Sequence, residues 1–251
     1  MFRKAKTPKP VDIWLSDYNK TPVQELYGPG LTFDIDPKTV ESASKHVNRI
    51  FRGGIDVYDP NDIMATYGKI PTVRVCNHHN LTDPPVVDLA LQKVGARLSY
   101  FASMAELFDE RRPRIASTIA KLGGFPVDRA RMTAGELPAV VRFMKASRHI
   151  LEHLEESIVI FPQAGITKAG KAGVIEDIND GAILIAERSN VPIIVCGIAG
   201  NRRALLKSLT GRSTVTVLVH DVFTPDELPS TSELQDSMQI ATQLAHQYHY
   251  N

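Results

Sequence analysis

Two short runs of apolar residues constrain the fold more than any other feature of this sequence. Residues 157–161 read SIVIF and residues 191–196 read VPIIVC, and neither run alternates between apolar and polar positions. A strand without such alternation is typical of a parallel sheet, because helices cover both of its faces. These two runs therefore favour an α/β fold.

The segments around these runs alternate between strand-like and helix-like patterns. Further strands are expected at residues 54–58, 72–76, 98–101, 125–127 and 213–219. Helices are expected at residues 37–52, 84–94, 137–154, 181–189 and 231–248, with one or two more between 102 and 122, broken near Pro113. Strands that alternate with helices in this way predict a largely parallel central sheet flanked by helices.

The first 36 residues differ from the rest of the chain. They are rich in proline, lysine and turn-forming residues with scattered aromatics, so we expect an N-terminal arm of helical or irregular structure at residues 1–36. Asp36 and Pro37 are typical of a helix N-cap and a first helical residue. No low-complexity linker interrupts residues 37–251, and we predict a single domain there.

Composition argues against several classes of protein. The chain has 251 residues, 43% of them hydrophobic, which is enough for a full core and argues against a wholly disordered chain. The formal net charge is +1, whereas nucleic-acid-binding proteins tend to be strongly basic, so no nucleic-acid partner is expected. Cys76 and Cys196 lie far apart and form neither a disulfide framework nor zinc-ribbon spacing, which predicts reduced thiols in a cytoplasmic protein.

No segment approaches the roughly 20 apolar residues that a membrane-spanning helix needs. The N-terminus (MFRKAKTPKPVDIWL) is basic, but no apolar run of a secretory signal follows it. We therefore expect a protein that is soluble or bound at a membrane surface, without a transmembrane segment.

The residues best suited to chemistry follow the predicted strand at 72–76. From Asn77 to Pro84 the chain reads Asn-His-His-Asn-Leu-Thr-Asp-Pro, and it passes from a strand through a polar turn into a helix. In such a turn the Asp83 carboxylate can fold back onto the His78 imidazole and fix its tautomer. The second ring nitrogen of His78 is then available as a general base.

Other interpretations of this segment stay open on the residues alone. Asp83 can serve only as the cap of the helix that starts at Pro84, and both histidines can be ordinary loop residues. A metal site formed by His78, His79 and Asp83 is less favoured, because adjacent residues in an extended chain point in opposite directions and no further ligand motif is nearby.

Two more strand ends carry residues suited to binding an anion. Arg129 follows the strand at 125–127, and its guanidinium can form paired hydrogen bonds with a phosphate; the alternative is a surface arginine paired with Asp128. Residues 161–165 read FPQAG, a small-residue turn whose backbone N–H groups can bind an anion or can simply connect a strand to a loop.

Taken together, these segments resemble the glycerolipid acyltransferase superfamily, which contains the lysophosphatidic acid acyltransferases. That family shows Asn-His-x-x-x-x-Asp, then a Gly-x-x-Phe/Ile-x-x-Arg-type block, then Phe-Pro-Glu-Gly-x-x-Ser, then Val-Pro-Ile-x-Pro. This chain has matching blocks, in the same order, at 77–83, 124–129, 161–165 and 191–194. Each block alone is a weak signal, whereas four in order at strand ends are a specific one.

The resemblance implies transfer of a fatty acyl group from a thioester, carried by coenzyme A or acyl carrier protein, to the hydroxyl of a lysophospholipid or glycerol phosphate, as in phospholipid biosynthesis. It also implies that His78 is the general base and that Asp83 orients it. The implied substrate-binding residues are Asn77, Gly124, Arg129, Phe161, Pro162, Gln163 and Gly165. Because a thioester is already activated, we expect neither a metal nor another cofactor.

The chain departs from the family pattern at three positions. Gln163 stands where the family usually has Glu, and Val195 replaces the second Pro of the last block. Ala164 either stands where Gly is usual or is an inserted residue before Gly165. Compared with Glu, Gln163 lacks the negative charge and adds a hydrogen-bond donor. The identity of the substrate that accepts the acyl group therefore stays open. A protein that binds lipid or thioester without turnover is a further alternative.

Basic residues predict peripheral contact with the inner face of a membrane. They lie in the N-terminal arm, in the helix at 37–52 and at residues 111–114, where they could meet anionic lipid. The alternative is that these helices pack on the core and present solvated charged faces.

Overall fold

A single seven-stranded sheet forms the centre of the computed structural model, which describes residues 33–51, 54–80, 82–108, 111, 113–127, 139–163, 173–200 and 214–250. The strand order across the sheet is β1-β7-β6-β2-β5-β3-β4. The strands are β1 (Gly54–Tyr58), β2 (Val73–Cys76), β3 (Ser99–Met104), β4 (Gly124–Val127), β5 (Ser157–Ile160), β6 (Ile193–Ala199) and β7 (Thr214–Phe223).

Most neighbouring strands of this sheet are parallel. The strands β6, β2, β5, β3 and β4 all run in one direction. At the other edge β7 is antiparallel to β6, and β1 is parallel to β7. The carboxyl ends of five strands therefore meet at the same edge of the sheet, where α/β folds place their functional sites.

Helices cover both faces of the sheet. They are α1 (Pro37–Ile50), α2 (Ile63–Tyr67), α3 (Asp83–Lys93), α4 (Pro113–Lys121), α5 (Ala139–Glu152), α6 (Gly181–Ser189) and α7 (Thr231–Tyr250), with 3-10 turns at Ala105–Phe108 and Pro225–Glu227. Buried residues of α5, α6 and α7 pack on one face, and those of α1, α2 and α3 pack on the other. The predicted α/β fold with a largely parallel sheet is confirmed.

Local sequence signals explain where the first helices begin. The Asp36 side chain accepts hydrogen bonds from the backbone N–H groups of Lys38 and Thr39, so α1 starts at Pro37 as predicted. The short helix α2, which the sequence did not predict, begins where the Asp59 carboxylate accepts the backbone N–H groups of Ile63 and Met64.

Several predicted bounds were wrong. The strand β3 continues to Met104, so helix between 102 and 122 is limited to α4 and a 3-10 turn. The helix α5 ends at Glu152, whereas the prediction extended it to 154, and the chain turns at Glu155 with φ of 54°. The strands β6 and β7 continue beyond their predicted ends because they pair with each other up to those ends. Ala199 at the end of β6 pairs with Thr216, and Phe223 at the end of β7 pairs with Ile193.

Residues 1–32 of the predicted N-terminal arm (1–36) lie outside the described residues. The boundary between this arm and a domain at residues 37–251 stays a prediction. The helix α1 that follows it buries Val47, and Phe51 just beyond its end is also buried. Its apolar stripe therefore packs on the core. Over the ranges given above, the chain contains no helix with the length and hydrophobicity needed to cross a bilayer.

The terminal helix α7 packs closely against β6 at Gly197. A Cβ atom at this glycine would lie 2.1 Å from the backbone oxygen of Ala241, a separation that requires one of the two elements to move. A glycine at this position therefore determines how closely α7 approaches the sheet.

We predict that Gly197→Ala lowers the free energy of unfolding by about 2–3 kcal/mol, because the added methyl group overpacks the contact with α7. Urea unfolding followed by circular dichroism measures this change. Gly181→Ala in α6 is the matched control, since a Cβ there meets no atom within 4 Å and alanine favours the helix. Equal stabilities of the two variants would contradict the prediction.

Candidate active site

The candidate site lies where the neighbouring strands β2 and β5 end. The turn from Asn77 to Asn80 follows β2, and Phe161, Pro162 and Gln163 follow β5. Because β2 lies between β5 and β6, this turn can contact the ends of both neighbours. Strand order thus brings together two segments that are far apart in sequence.

The turn and the first residue of α3 hold His78 and Asp83 in contact. The His78 Nδ1 atom lies 2.8 Å from Asp83 Oδ2, and the same oxygen accepts the backbone N–H groups of His79 at 2.6 Å and Asn80 at 2.7 Å. The Asp83 side chain is fully buried, whereas 14% of the His78 side chain is exposed. The hydrogen bonds from the turn replace the hydration that this buried carboxylate loses.

Asp83 is therefore more than the helix cap that the sequence also allowed. The helix starts at Asp83 itself, one residue earlier than predicted, and the next two residues, Pro84 and Pro85, have no backbone N–H for a capping carboxylate to accept. The Asp83 side chain points away from the helix and back to the turn at His78 to Asn80. The His78 Nδ1–H donates to Asp83, which leaves Nε2 as the ring nitrogen with a lone pair available to a substrate proton.

Aromatic packing fixes the plane of the His78 ring. Phe161 stacks on it with ring centroids 4.3 Å apart and an interplanar angle of 26°. Phe161 is half-buried and packs against the core on the α3 side of the sheet. The predicted substrate-binding residue Phe161 thus contacts the imidazole directly.

The side chain of Asn77 connects the turn to β6. Its Oδ1 accepts the backbone N–H of Ile198 at 2.7 Å, and its Nδ2 donates to the Ile198 carbonyl at 3.0 Å. Asn77 is fully buried. Its role in binding substrate stays a prediction, and the contacts in this structure are those of a residue that positions the turn.

Besides Phe161, two more residues of the segment after β5 lie within the described chain. The carbonyl of Pro162 accepts both the backbone N–H and the side-chain Nδ2 of Asn179, each at 3.0 Å, a contact for which the sequence carried no signal. Gln163 is 9% exposed, and neither its Oε1 nor its Nε2 has a hydrogen-bond partner within the described part of the chain.

The other predicted site residues are farther from His78 or cannot be described. Gly124 is buried at the start of β4, and a Cβ there would lie 2.3 Å from Ile119 Cγ2, so this glycine allows α4 to pack on the strand. Two strands, β5 and β3, separate β4 from β2. Arg129 and Gly165 lie outside the described residues, as does Ala164.

No group of three or more His, Cys, Asp or Glu side chains stands close enough to hold a metal ion within the ranges that the structure describes. In the turn itself, His78 Nδ1 contacts Asp83 and His79 Nε2 contacts Asn77 Nδ2 at 2.8 Å. These ring nitrogens are thus engaged with neighbouring side chains.

The comparisons with known proteins agree with this geometry. A family model described as Acyltransferase matches residues 54–199, which is more than half of the chain. The chain belongs to the acyltransferase family, and the resemblance inferred from its motifs is confirmed.

A solved structure shares the fold. The crystal structure of the 1-acyl-sn-glycerophosphate (LPA) acyltransferase PlsC from Thermotoga maritima matches with a TM-score of 0.59 and 15% sequence identity, over 96% of this chain and 95% of that one. At this identity the likeness concerns the fold alone. A sequence comparison with curated proteins finds no match.

A buried polar cluster joins the elements that carry the site. The guanidinium of Arg74, in the middle of β2, is fully buried and donates to Arg97 O at 2.9 Å and to Ser157 Oγ at 3.2 Å. Asp88 of α3 accepts the backbone N–H of Ser99 at 3.1 Å. Burial raises the pKa of Asp88 to about 7, although the positive charge of Arg74 opposes the rise.

This raised pKa makes stability depend on pH. Between an ordinary aspartate value of about 3.9 and about 7, the folded protein binds a proton that the unfolded chain releases, so stability falls as the pH rises through this window. We predict that Asp88→Asn, which keeps the acceptor for Ser99, gains melting temperature relative to wild type between pH 4.5 and 8.

Differential scanning fluorimetry at several pH values measures this gain, which should reach several degrees, since about 2–4 °C correspond to 1 kcal/mol at this chain length. Asp56→Asn, at an exposed position of β1, is the control and should follow wild type. A difference between Asp88→Asn and wild type that does not change with pH would refute the assignment.

Proposed function

We propose that this protein transfers a fatty acyl group from an acyl thioester to the hydroxyl of a lysophospholipid, with His78 as the general base. Membership in the acyltransferase family supports the acyl transfer. The observation that carries the mechanism is the contact of 2.8 Å between His78 Nδ1 and the buried carboxylate of Asp83.

In the proposed reaction, the hydroxyl oxygen of the acceptor attacks the thioester carbonyl, and His78 Nε2 takes the proton of that hydroxyl. The negative charge of Asp83 stabilises the imidazolium that forms and holds the ring in place. The tetrahedral intermediate then collapses with cleavage of the carbon–sulfur bond, and the leaving thiolate takes the proton from His78. The products are the acylated acceptor and the free thiol of coenzyme A or acyl carrier protein.

Gln163 supports a polar acceptor close to this base. Within the described residues neither Nε2 nor Oε1 of this buried amide has a hydrogen-bond partner, which costs free energy. A phosphate oxygen of a bound acceptor would accept from Nε2, and a hydroxyl would donate to Oε1. Arg129 and Gly165, carried over from the family pattern, complete the proposed acceptor site. Because Gln163 is neutral where Glu is usual, glycerol 3-phosphate or another acceptor is the second candidate.

An acceptor screen tests this proposal. Long-chain acyl-CoA and acyl carrier protein thioesters are each incubated with lysophosphatidic acid, other lysophospholipids and glycerol 3-phosphate, and mass spectrometry identifies the product. We expect turnover with wild type, and a loss of about 10²- to 10⁴-fold for His78→Ala and Asp83→Asn with folding retained.

His153→Ala serves as the matched control, because His153 is exposed in the turn between α5 and the amino end of β5. Transfer by His78→Ala at the wild-type rate would overturn the mechanism. Binding of lipid or thioester without turnover for any acceptor would indicate a lipid- or thioester-binding protein and contradict the proposed enzymatic activity.

We further propose that the protein meets its lipid substrates by peripheral, electrostatic contact with the inner face of a membrane. The helix α1 supports this with exposed Lys38 and Arg49, and with Lys45, which pairs with exposed Glu41 at 2.7 Å. On the same helix Val47 is buried against the core. Exposed Arg111 and Arg114 offer a second basic position. Contact of this kind attracts anionic lipid and is screened by salt.

Vesicle sedimentation tests the contact. We expect co-sedimentation with vesicles containing phosphatidylserine or phosphatidylglycerol at low salt, and release as the salt concentration rises, because electrostatic attraction carries the binding. Vesicles of phosphatidylcholine alone are the control. Protein that stays in the supernatant with anionic vesicles at low salt would show that the contact does not occur.

A further inference from the structure

The orientation of the Asn77 amide is determined by its partner on β6. Its oxygen accepts the N–H of Ile198 and its nitrogen donates to the carbonyl of the same residue. A flipped amide would place donor against donor and acceptor against acceptor, with the loss of both hydrogen bonds. The nitrogen that lies 2.8 Å from His79 Nε2 is therefore an N–H donor.

This donor determines the protonation of His79. Because the Asn77 N–H group points at Nε2, that ring nitrogen must accept, and His79 is a neutral imidazole with its proton on Nδ1. A charged imidazolium would bring two N–H groups together at this point. His79 is 4% exposed, and burial likewise disfavours a charged ring.

The backbone of His79 contacts the proposed catalytic pair. Its N–H donates at 2.6 Å to the same Asp83 oxygen that lies 2.8 Å from His78 Nδ1. On the other side, the His79 ring lies edge-to-face with His246 of α7, with centroids 6.1 Å apart and an interplanar angle of 61°. Burial lowers the pKa of His246, so this ring is also neutral near pH 7.

We propose that His79 is a positioning residue for acyl transfer: its neutral imidazole joins Asn77 on one side and packs on His246 on the other, which keeps its backbone N–H aligned with the Asp83 carboxylate. This inference rests on the proposed function of His78 and Asp83. His79 acts through Asp83 and does not touch the reacting atoms.

Nitrogen NMR of the histidine rings in the wild-type protein is the first test. We expect His79 to show the tautomer with the proton on Nδ1 and to keep it between pH 5 and 8, the range in which an exposed histidine titrates. A proton on Nε2, or titration of His79 together with the exposed histidines, would overturn the inference. This measurement needs no activity and no folded variant.

Kinetics of two substitutions are the second test. His79→Gln retains an acceptor near the position of Nε2, whereas His79→Phe retains the ring that packs on His246 and removes the acceptor. We expect His79→Phe to lower kcat by about 10- to 100-fold with little change in the acceptor KM, because small displacements of a catalytic group cost rates of this order. His79→Gln should recover most of the loss.

His153→Phe, in the exposed turn between α5 and the amino end of β5, is the matched control and should behave as wild type. Wild-type kcat for His79→Phe, or equal losses for both substitutions, would refute the positioning role. Wild-type kcat for His79→Phe together with inactive His78→Ala would refute this inference alone. Absence of transfer by the wild-type protein would refute the proposed function, and the NMR test of His79 would still decide the protonation on which this inference depends.

Discussion

The buried carboxylate of Asp83 is the group on which the site depends. One oxygen of this side chain, Oδ2, accepts hydrogen bonds from His78 Nδ1 and from the backbone N–H groups of His79 and Asn80. A charge removed from water is tolerated only when hydrogen bonds replace its hydration, and here those bonds come from the turn that carries the proposed base. The need to satisfy one carboxylate thus determines the shape of the turn and the direction of the imidazole together.

The strand order of the sheet supplies the support that this turn requires. Because β2 lies between β6 and β5, Asn77 reaches the backbone of Ile198 on one side and His78 stacks on Phe161 on the other. Below the turn, the Arg74 guanidinium joins β2 to β5 through Ser157. The proposed pair of His78 and Asp83 is thus held from both sides, which gives the fixed position that a general base needs.

Sequence patterns predicted the elements well where the signals are local. The strand β1 and the helix α6 have their predicted bounds, and α1 begins at its predicted cap. The patterns failed where a neighbouring element decides the outcome. The strand β6 continues to Ala199 because β7 pairs with it that far. Helix α2 is different: its signal is local, the carboxylate of Asp59 four positions before its first residue, and the sequence patterns missed it. Asn179 carries no motif, since its backbone N–H and its side-chain Nδ2 both donate to a backbone carbonyl, that of Pro162, which has no sequence signature.

The sequence by itself pointed to the pairing of His78 with Asp83, because the two residues are five positions apart across a single turn before a proline, and the structure has them in contact. It also determined the α/β class, through strands that are apolar at nearly every position. Only the tertiary structure decided the contact of Asn77 with Ile198, 121 positions away, and with it the position of the Asn77 side-chain nitrogen 2.8 Å from His79 Nε2. Such contacts follow from strand order and from the packing of α7, which arise from the whole chain and have no local pattern.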